Sequence, residues 1–306
     1  MSGIQLPPLA AIRAFEAVAR HGSFTRAATE LGMTQAAVSY QIKVLEERAG
    51  APLFLRRPRR IELSDAGRRL APQVADAFSL LREAWASVRE DAGGVLSVST
   101  LLTFASHWLA QHLGSFQVAH PMIAVRLDTS NQLVDFSRDD IDVAIRSGSG
   151  DWPGVERHLL FKAGFTPMIS PSMAASIGGI REPADLLKLP LLDPHDPWWR
   201  DWFVAAGVPA DTVERELAAR SGISMGAQAY EASAAMAGRG VAILTRALFD
   251  EAVGEGRLVQ PIDLVANDGN AYWLVYPAGR RNVPKIRAFR DWLLDEVGES
   301  VGRAQV

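Results

Sequence analysis

One stretch of the sequence places hydrogen-bonding side chains along a single face of a predicted helix. Over residues 34–50, TQAAVSYQIKVLEERAG, apolar residues recur at helical spacing and leave Gln35, Ser39, Tyr40 and Lys43 on the opposite face. Amide, hydroxyl and ammonium groups can bond to base edges and phosphates when such a helix lies in a DNA major groove. The alternative for this stretch alone is an ordinary amphipathic helix with a solvated face.

Four arginines follow this helix closely, at Arg56, Arg57, Arg59 and Arg60 in the segment PLFLRRPRRIELS. The segment contains two strand-like runs, so the arginines are predicted to lie at a tight basic loop, or wing. Like charges at one loop repel each other, whereas DNA phosphates, with an arginine in the adjacent minor groove, would neutralise them. A solvated run of charge is the alternative interpretation.

A third motif could support catalysis. Residues 222–226, GISMG, match the G-x-S-x-G pattern in which Ser224 would be a hydrolase nucleophile. That chemistry needs a histidine that follows the serine in hydrolases, and none of the six histidines lies after Ser224. We therefore disfavour a serine hydrolase and predict a turn that enters a helix. The chain has no cysteine and no metal-ligand spacing, so no metal or cofactor is implied.

Three short helices are predicted to position the polar face. The first covers residues 9–20, and Ser23 caps the second, Phe24–Leu31. Thr34 is the predicted N-cap of the third helix, and Gly50 is its left-handed C-terminal residue. Two short helices joined by a tight glycine-containing turn form a helix-turn-helix.

A longer helix is predicted from Asp65 to about residue 90, with Ser64 as its N-cap. Pro72 should kink its first turns or mark a new helix start. Its apolar residues step by four and three, as in a heptad seam. No helix follows closely enough in sequence to cover this seam, so we predict that it forms a dimer. The seam residues are Leu70, Val74, Ala77, Leu81, Trp85 and Val88.

After the boundary at residues 91–94, DAGG, predicted strands alternate with helices. This order is typical of α/β layers with mostly parallel sheets, and two such lobes would bind a ligand at the carboxyl ends of their strands. The predicted strands cover residues 95–100, 123–130, 142–148, 165–171, 189–193, 240–245 and 271–277. A polar helix is predicted after the second strand, and other helices at residues 104–118, 184–187, 198–206, 226–237 and 283–297.

Composition and charge agree with a chain of two or three domains. Of the 306 residues, 48% are hydrophobic and 22% charged, and we find neither a membrane-spanning run nor a signal peptide. A cytoplasmic location without a membrane partner is therefore expected. Residues 1–69 carry 11 basic and 6 acidic residues, whereas the remainder carries 21 and 29. A basic head on an acidic body favours nucleic acid as a partner.

The run AIRAFEAVARHGSFTRAATELGMTQAAVSYQIKVLEERAGAPLFLRRPRRIELSDAG resembles the N-terminal domain of LysR-type transcriptional regulators. The body is similar to the effector domain of that family. The phrases DVAIRSGSGDWPGV and PMISP resemble the subgroup that contains the glycine-cleavage-system activator and the β-lactamase-gene regulators. A binding protein for small molecules with no DNA role is a further alternative, but it would explain the body and not the head.

The resemblance implies an all-α winged helix-turn-helix with a long linker helix, and a two-lobed α/β domain like a type II periplasmic binding protein. It implies a head at residues 1–64, a linker helix at 65–91 and an effector domain at 94–306. Lobe I would comprise residues 94–164 and 270–306, and lobe II residues 165–269.

The family's DNA contacts can be carried over by position. Gln35, Ala36, Ser39 and Tyr40 lie where relatives reach bases and nearby phosphates, and Lys43 would meet backbone phosphate. Many relatives have proline at Ala36 and arginine at Tyr40. An aromatic ring cannot make the bidentate contact of arginine to guanine, which changes the expected base preference. In the wing, Arg59 would enter the minor groove, flanked by Arg56 and Arg60.

The implied effector pocket opens between the lobes. Relatives often carry an aromatic residue at Ser147, so a serine there predicts a wider or more polar pocket. The amides after the first strand would favour a carboxylate on the effector. Each pocket residue could instead cap a helix or stabilise a turn. The candidates are Thr100, Leu101, Thr103, Thr129, Ser130, Asn131, Arg146, Ser147, Ser224 and Met225.

The implied partners are double-stranded DNA with a dyad-like promoter or operator site and an unidentified small-molecule effector. The chain is expected to form a homodimer and, by resemblance, a homotetramer. As an activator it would also contact RNA polymerase.

Overall fold

The computed structural model describes residues 6–57, 60–88, 94–136 and 138–303. The chain divides into two compact units. One contains residues 1–92, 134–140 and 277–283, and the other contains residues 93–133, 141–276 and 284–306. Within the described residues, no helix is both long and apolar enough to cross a membrane.

The first unit begins with three helices, α1 (Leu9–His21), α2 (Phe24–Leu31) and α3 (Gln35–Ala49). Both predicted N-caps are present: Ser23 Oγ accepts the Arg26 amide at 3.3 Å, and Thr34 Oγ1 accepts the Ala37 amide at 3.2 Å. The helices end at glycines in the left-handed region, with φ of 58° at Gly22, 63° at Gly32 and 66° at Gly50.

These helices enclose a core to which small and aromatic residues contribute. Ala27 and Ala28 are buried where α2 packs, and the ring centroids of Phe15 and Phe54 lie 5.4 Å apart. On α1, Leu9 is 61% exposed and lies outside the core, because the helix begins at this residue and its buried residues start at Ala11. On α3 the buried residues are Val38, Ile42 and Leu45.

An antiparallel hairpin follows α3, formed by β1 (Phe54–Arg57) and β2 (Arg60–Leu63). Glu46 fixes the hairpin to α3, because its carboxylate accepts the amides of Leu53 and Phe54 at 2.7 and 3.2 Å. Ser64 caps the next helix by accepting the Gly67 amide at 3.0 Å. The hairpin is therefore anchored at its base on both sides.

The long helix α4 (Asp65–Val88) is continuous through Pro72, and no new helix starts there. Its predicted seam is divided. Leu70 and Val74 pack against the core of the three helices, and Val74 is only 8% exposed, so the prediction that these two residues are left uncovered for a second chain needs correction. The physical reason is that their covering residues come from α1–α3, which precede the helix. Ala77 is exposed, as are Leu81 (53%) and Trp85 (68%), and the side chain of Val88 lies outside the described residues.

The first unit also includes two segments from far along the chain. Arg280, in the short 3₁₀ helix Ala278–Arg280, forms a 3.3 Å ion pair with Asp76 of α4 and donates to the Phe136 carbonyl at 3.2 Å. Burial raises the pKa of Asp76, while Arg280 opposes that shift.

The second unit contains a five-stranded sheet and a two-stranded sheet. Their strands are β3 (Val95–Thr100), β4 (Ala124–Thr129), β5 (Val143–Gly148), β6 (Val155–Lys162), β7 (Phe165–Met168), β8 (Ala242–Thr245) and β9 (Ala271–Pro277). The larger sheet has the order β4-β3-β5-β9-β6, and β7 pairs with β8. The β3–β4 and β3–β5 pairs are parallel, but β5–β9 and β7–β8 are antiparallel, so the prediction of mostly parallel sheets needs correction.

The helices of this unit are α5 (Leu102–Phe104), α6 (Ala110–Ala119), α7 (Pro171–Ser176), α8 (Pro197–Ala205), α9 (Ala210–Ala218), α10 (Gln228–Met236), α11 (Asp250–Gly254) and α12 (Pro284–Arg303). A π-helical turn, Ala105–Leu109, joins α5 to α6, and 3₁₀ helices cover Pro183–Lys188 and Arg246–Leu248. The indoles of Trp199 and Trp202 are fully buried beside β7 and β8.

Two predicted elements of this unit were wrong, and four observed elements were not predicted. The polar helix expected after β4 is absent from the described residues between 130 and 141, which form bends and turns. The predicted strand at 189–193 is reduced to one parallel bridge, Leu191 to Val241. In that segment Asp193 has a left-handed φ of 44°, which ends extended pairing. The strand β6 and the helices α7, α9 and α11 were not predicted.

Candidate functional site

The outer face of α3 carries the side chains that were predicted from the sequence to contact DNA. Gln35, Ala36 and Lys43 are exposed, Tyr40 is 63% exposed, and Ser39 is half-buried. The opposite face of α3 is buried in the core. Within the first unit, the polar face is left exposed and can contact a partner. Its one described ion pair, from Lys43 Nζ to Glu47 at 3.8 Å, joins two exposed side chains.

An exposed pair of this kind is worth roughly 0–1 kcal/mol, so Lys43 can exchange Glu47 for a phosphate at little cost.

The basic hairpin is described only in its backbone. Arg56 lies in β1 opposite Ile61, and Arg57 lies opposite Arg60 of β2. The side chains of these arginines, and all of Arg59, lie outside the described residues. Their predicted role in the minor groove therefore stays a prediction.

In the second unit, the carboxyl ends of β3, β4 and β5 bring together most of the other candidates. Thr100 pairs with Thr129 across the two parallel strands, and the Ser130 amide donates to the Thr100 carbonyl at 3.0 Å. Asn131 is exposed just beyond, and Leu101 begins the short helix α5 as its N-cap residue. Thr100 Oγ1 is buried and has no partner among the described residues.

Arg146 is buried and bonded to other residues of its own unit. It is 4% exposed, and its guanidinium donates to the Ile145 carbonyl at 2.9 Å, Ser99 Oγ at 2.7 Å and the Gln132 carbonyl at 3.0 Å. Burial lowers the pKa of Arg146. The side chain therefore ties β5 to β3 and to the loop after β4, while its neighbour Ser147 is exposed.

One buried hydrogen bond connects α5, which follows β3, with α10, which precedes β8. Thr103 Oγ1, in α5, accepts the Ala229 amide in the first turn of α10 at 3.1 Å. Gln228 of α10 in turn accepts the Thr245 amide at 2.7 Å. The start of α10 is thus bonded both to α5 and to the end of β8.

Tyr272 also lies where α5 and α10 meet the end of β8, and it was not predicted as a pocket residue from the sequence. It is 3% exposed, its ring stacks on Phe104 and Phe161 at 5.9 and 4.9 Å, and its hydroxyl lies beside Thr245. Burial raises the pKa of Tyr272 to about 12, so it remains a neutral phenol. Pocket residues were predicted at the carboxyl ends of strands, whereas Tyr272 lies near the start of an antiparallel strand. Thr245 ends a predicted strand, so it could have been predicted as a pocket residue on the same basis.

Ser224 and Met225 precede α10 instead of beginning it, since that helix starts at Gln228. Gly226, with a φ of 72°, turns the chain between them and the helix. The Ser224 hydroxyl donates to the carboxylate of Asp193 at 2.7 Å. Its described partner is therefore a carboxylate, a weak base, and not the histidine on which a serine hydrolase relies.

Two family models match the sequence: the LysR substrate binding domain over residues 89–298, and the bacterial regulatory helix-turn-helix protein of the lysR family over residues 9–68. The chain is 40% identical over 296 residues to the glycine cleavage system transcriptional activator of Escherichia coli strain K12, covering 95% of this chain and 94% of that protein.

It is also 41% identical over 293 residues to the HTH-type transcriptional activator AmpR of Pseudomonas aeruginosa, covering 94% of this chain and 95% of that protein. The X-ray structure of the effector domain of AmpR of Pseudomonas aeruginosa superposes with a TM-score of 0.57 at 35% identity, covering 69% of this chain and 99% of that chain.

Proposed function

Because the chain belongs to the LysR-type transcriptional regulators, which bind DNA and respond to small-molecule effectors, we propose that α3 reads its DNA site and that the cleft beside α10 binds its effector. The family and subgroup predicted from the sequence are thereby confirmed. The observation that carries the assignment of α3 is its division into a buried apolar face and an exposed polar face.

Within this proposal, Gln35 and Ser39 contact base edges, with Ala36 and Tyr40 beside them, and Lys43 contacts phosphate. Amide side chains can make paired hydrogen bonds to adenine in the major groove, whereas an ammonium group is suited to the backbone. The hairpin acts as a wing, with Arg59 in the minor groove and Arg56 and Arg60 on the flanking phosphates.

The test is binding of an operator duplex and a scrambled duplex by three variants over a series of salt concentrations. Gln35→Ala should cost about 1–3 kcal/mol on the operator alone and relax specificity at one base pair. Lys43→Ala should weaken both duplexes alike. Arg59→Ala with Arg60→Ala should weaken binding and flatten its salt dependence. Equal losses on both duplexes for all three variants would contradict the division of roles.

We further propose that the second unit, with the boundaries predicted above, is a two-lobed effector domain of the type II periplasmic-binding-protein kind. Lobe I would hold the five-stranded sheet and lobe II the β7–β8 sheet. Ser224 belongs to the cleft in this proposal and has no catalytic role, because its hydroxyl is bonded to Asp193 and no histidine follows it in the sequence. Arg146 would hold β5 against β3 and the loop after β4, and so position the residues that contact the effector. These residues would be Thr100, Leu101, Thr103, Thr129, Ser130, Asn131, Ser147, Ser224 and Met225.

The proposed assembly is a homodimer formed through the exposed end of α4, and pairing of effector domains would extend it to a tetramer. A dimer suits a dyad-like operator, because each head reads one half-site. If the protein activates transcription, RNA polymerase is a further partner. Binding to chromosomal DNA places the protein in the cytoplasm.

A further inference from the structure

Three carboxylates lie at the cleft edge of the β7–β8 sheet, and we name this group the acidic pocket: Asp193, Asp196 and Glu231. The bridge between Leu191 and Val241 is parallel, so the chain leaves it toward the same edge at which β8 ends. Residues 193–196 therefore lie at the edge that carries Thr245. Glu231 is in the first turns of α10, the helix whose start is bonded to both Thr245 and Thr103.

The two aspartates are held by the backbone around them. Asp193 adopts a φ of 44°, a conformation that costs energy for a non-glycine residue, and accepts the Ser224 hydroxyl. Asp196 is the N-cap of α8 and accepts the Trp198 amide at 2.8 Å. The segment thus presents two fixed carboxylates on the side of α10.

Glu231 is the unusual member. It is 5% exposed, yet no described side chain or amide donates to its carboxylate, and no described lysine or arginine pairs with it. Burial, together with Asp196 and Asp193, raises the pKa of Glu231 to about 7. A buried carboxylate that faces two others is unfavourable unless a cation or a proton compensates it.

The compensating group is unlike a metal ion. The described residues contain no set of three acidic, histidine or cysteine side chains close enough to enclose one. An organic ammonium group can instead pair with a single carboxylate, because its other N–H donors can bond to neutral acceptors. A ligand entering the cleft would bring such a group to Glu231 past Ser224.

We infer that the effector carries a primary ammonium group, which binds Glu231 in the cleft and is attracted by the neighbouring carboxylates of Asp193 and Asp196. This inference rests on the proposed effector cleft and names the chemical class of its ligand. The hydroxyl groups of Thr103 and Ser224 then contact the neutral part of the ligand.

The experiment uses full-length protein and three probes at matched ionic strength: n-propylammonium, the neutral N-propylacetamide and the anion propionate. The reporter is the Trp198 amide in ¹H–¹⁵N spectra, because it donates to Asp196. Propylammonium should give a saturable shift with a Kd on the order of 1 mM, and N-propylacetamide should give none. Glu231→Gln and Asp193→Asn should each weaken the shift about tenfold. The control Asp211→Asn changes an exposed acid of α9 and should leave it unchanged.

No saturable shift with propylammonium, an equal shift with the neutral probe, or unchanged binding by Glu231→Gln and Asp193→Asn would overturn the inference. Operator binding by the same samples separates this result from the proposed function. Retained operator binding without ammonium selectivity removes the inference alone. Ammonium selectivity in a protein that does not bind DNA would instead contradict the regulatory role of the cleft.

Discussion

At the scale of single residues, two buried charges show opposite solutions to the same problem. Burial disfavours both the guanidinium of Arg146 and the carboxylate of Glu231. Arg146 is compensated by carbonyl and hydroxyl acceptors of its own unit, so its burial makes it a structural tie. Glu231 has no such donors among the described residues. A buried charge without protein partners is the better candidate for ligand contact.

The pKa of Glu231 predicts how stability depends on pH. An unfolded glutamate titrates near 4.5, whereas Glu231 titrates at about 7 in the folded chain, so the folded state binds more protons between these values. The free energy of unfolding should therefore fall as pH rises through this window, by roughly 2–3 kcal/mol from this group. Chemical denaturation from about pH 4 to pH 8, followed by tryptophan fluorescence, measures this dependence.

Glu231→Gln keeps the shape of the side chain and removes its titration. Its unfolding free energy should lose this downward slope, whereas Asp211→Asn should retain it. A slope that is equal in the wild type and Glu231→Gln would mean that burial does not perturb this carboxyl.

Residue roles that depend on neighbours in sequence could be predicted, and roles that depend on distant contacts could not. The caps Ser23 and Thr34 bond to amides three residues away, so spacing alone identified them. Arg146 was selected because it lies at a strand end, but its acceptors include Ser99 and Gln132, which only the sheet brings close. The position of Tyr272 where α5 and α10 meet the end of β8 could not be predicted, because it depends on the antiparallel pairing of β9.

At the scale of elements, α4 carries one apolar stripe that is partly buried and partly exposed. Periodicity predicted the stripe correctly, but it could not tell which part is covered by the same chain. Leu70 and Val74 complete the core of the head, while Leu81 and Trp85 remain exposed. The larger sheet shows the same limit, because alternation of strands and helices does not reveal that β9 returns antiparallel between β5 and β6.

The division of α4 predicts two different consequences of shortening an apolar side chain. Val74→Ala removes two buried methyl groups and should lower the free energy of unfolding of the head by about 1–3 kcal/mol at every protein concentration. Leu81→Ala changes a side chain that is half exposed in the single chain, so it should mainly weaken self-association.

Denaturation at two protein concentrations, with sedimentation on the same samples, separates these effects. If Leu81→Ala lowered stability independently of concentration, as Val74→Ala should, the proposed division of the helix would be incorrect.

At the scale of the whole molecule, charge and assembly act together. The basic first 69 residues attract phosphate, and the acidic remainder limits nonspecific attachment to polyanions. One recognition helix contacts too few base pairs to select a single site in a genome, so a second head must be linked to it. Linking makes the second binding event intramolecular and raises affinity without a new contact in either head.

We propose the exposed end of α4 as the surface for that linkage, and a double substitution tests it. Leu81→Glu with Trp85→Glu would bring like charges together in a desolvated interface, at a cost of several kcal/mol, while adding no buried charge to the separate chain. We expect a smaller species in sedimentation and loss of binding to a duplex with two half-sites, with little change on a single half-site.

Leu9→Glu is the matched control, because Leu9 is also exposed and lies on α1 of the same unit. Near-unchanged circular dichroism would show that the double variant still folds. A wild-type chain that sediments as a monomer at micromolar concentration would contradict the dimer. If the double variant sediments like the wild type, the exposed end of α4 is not the interface, and the two heads must be linked through the effector domains.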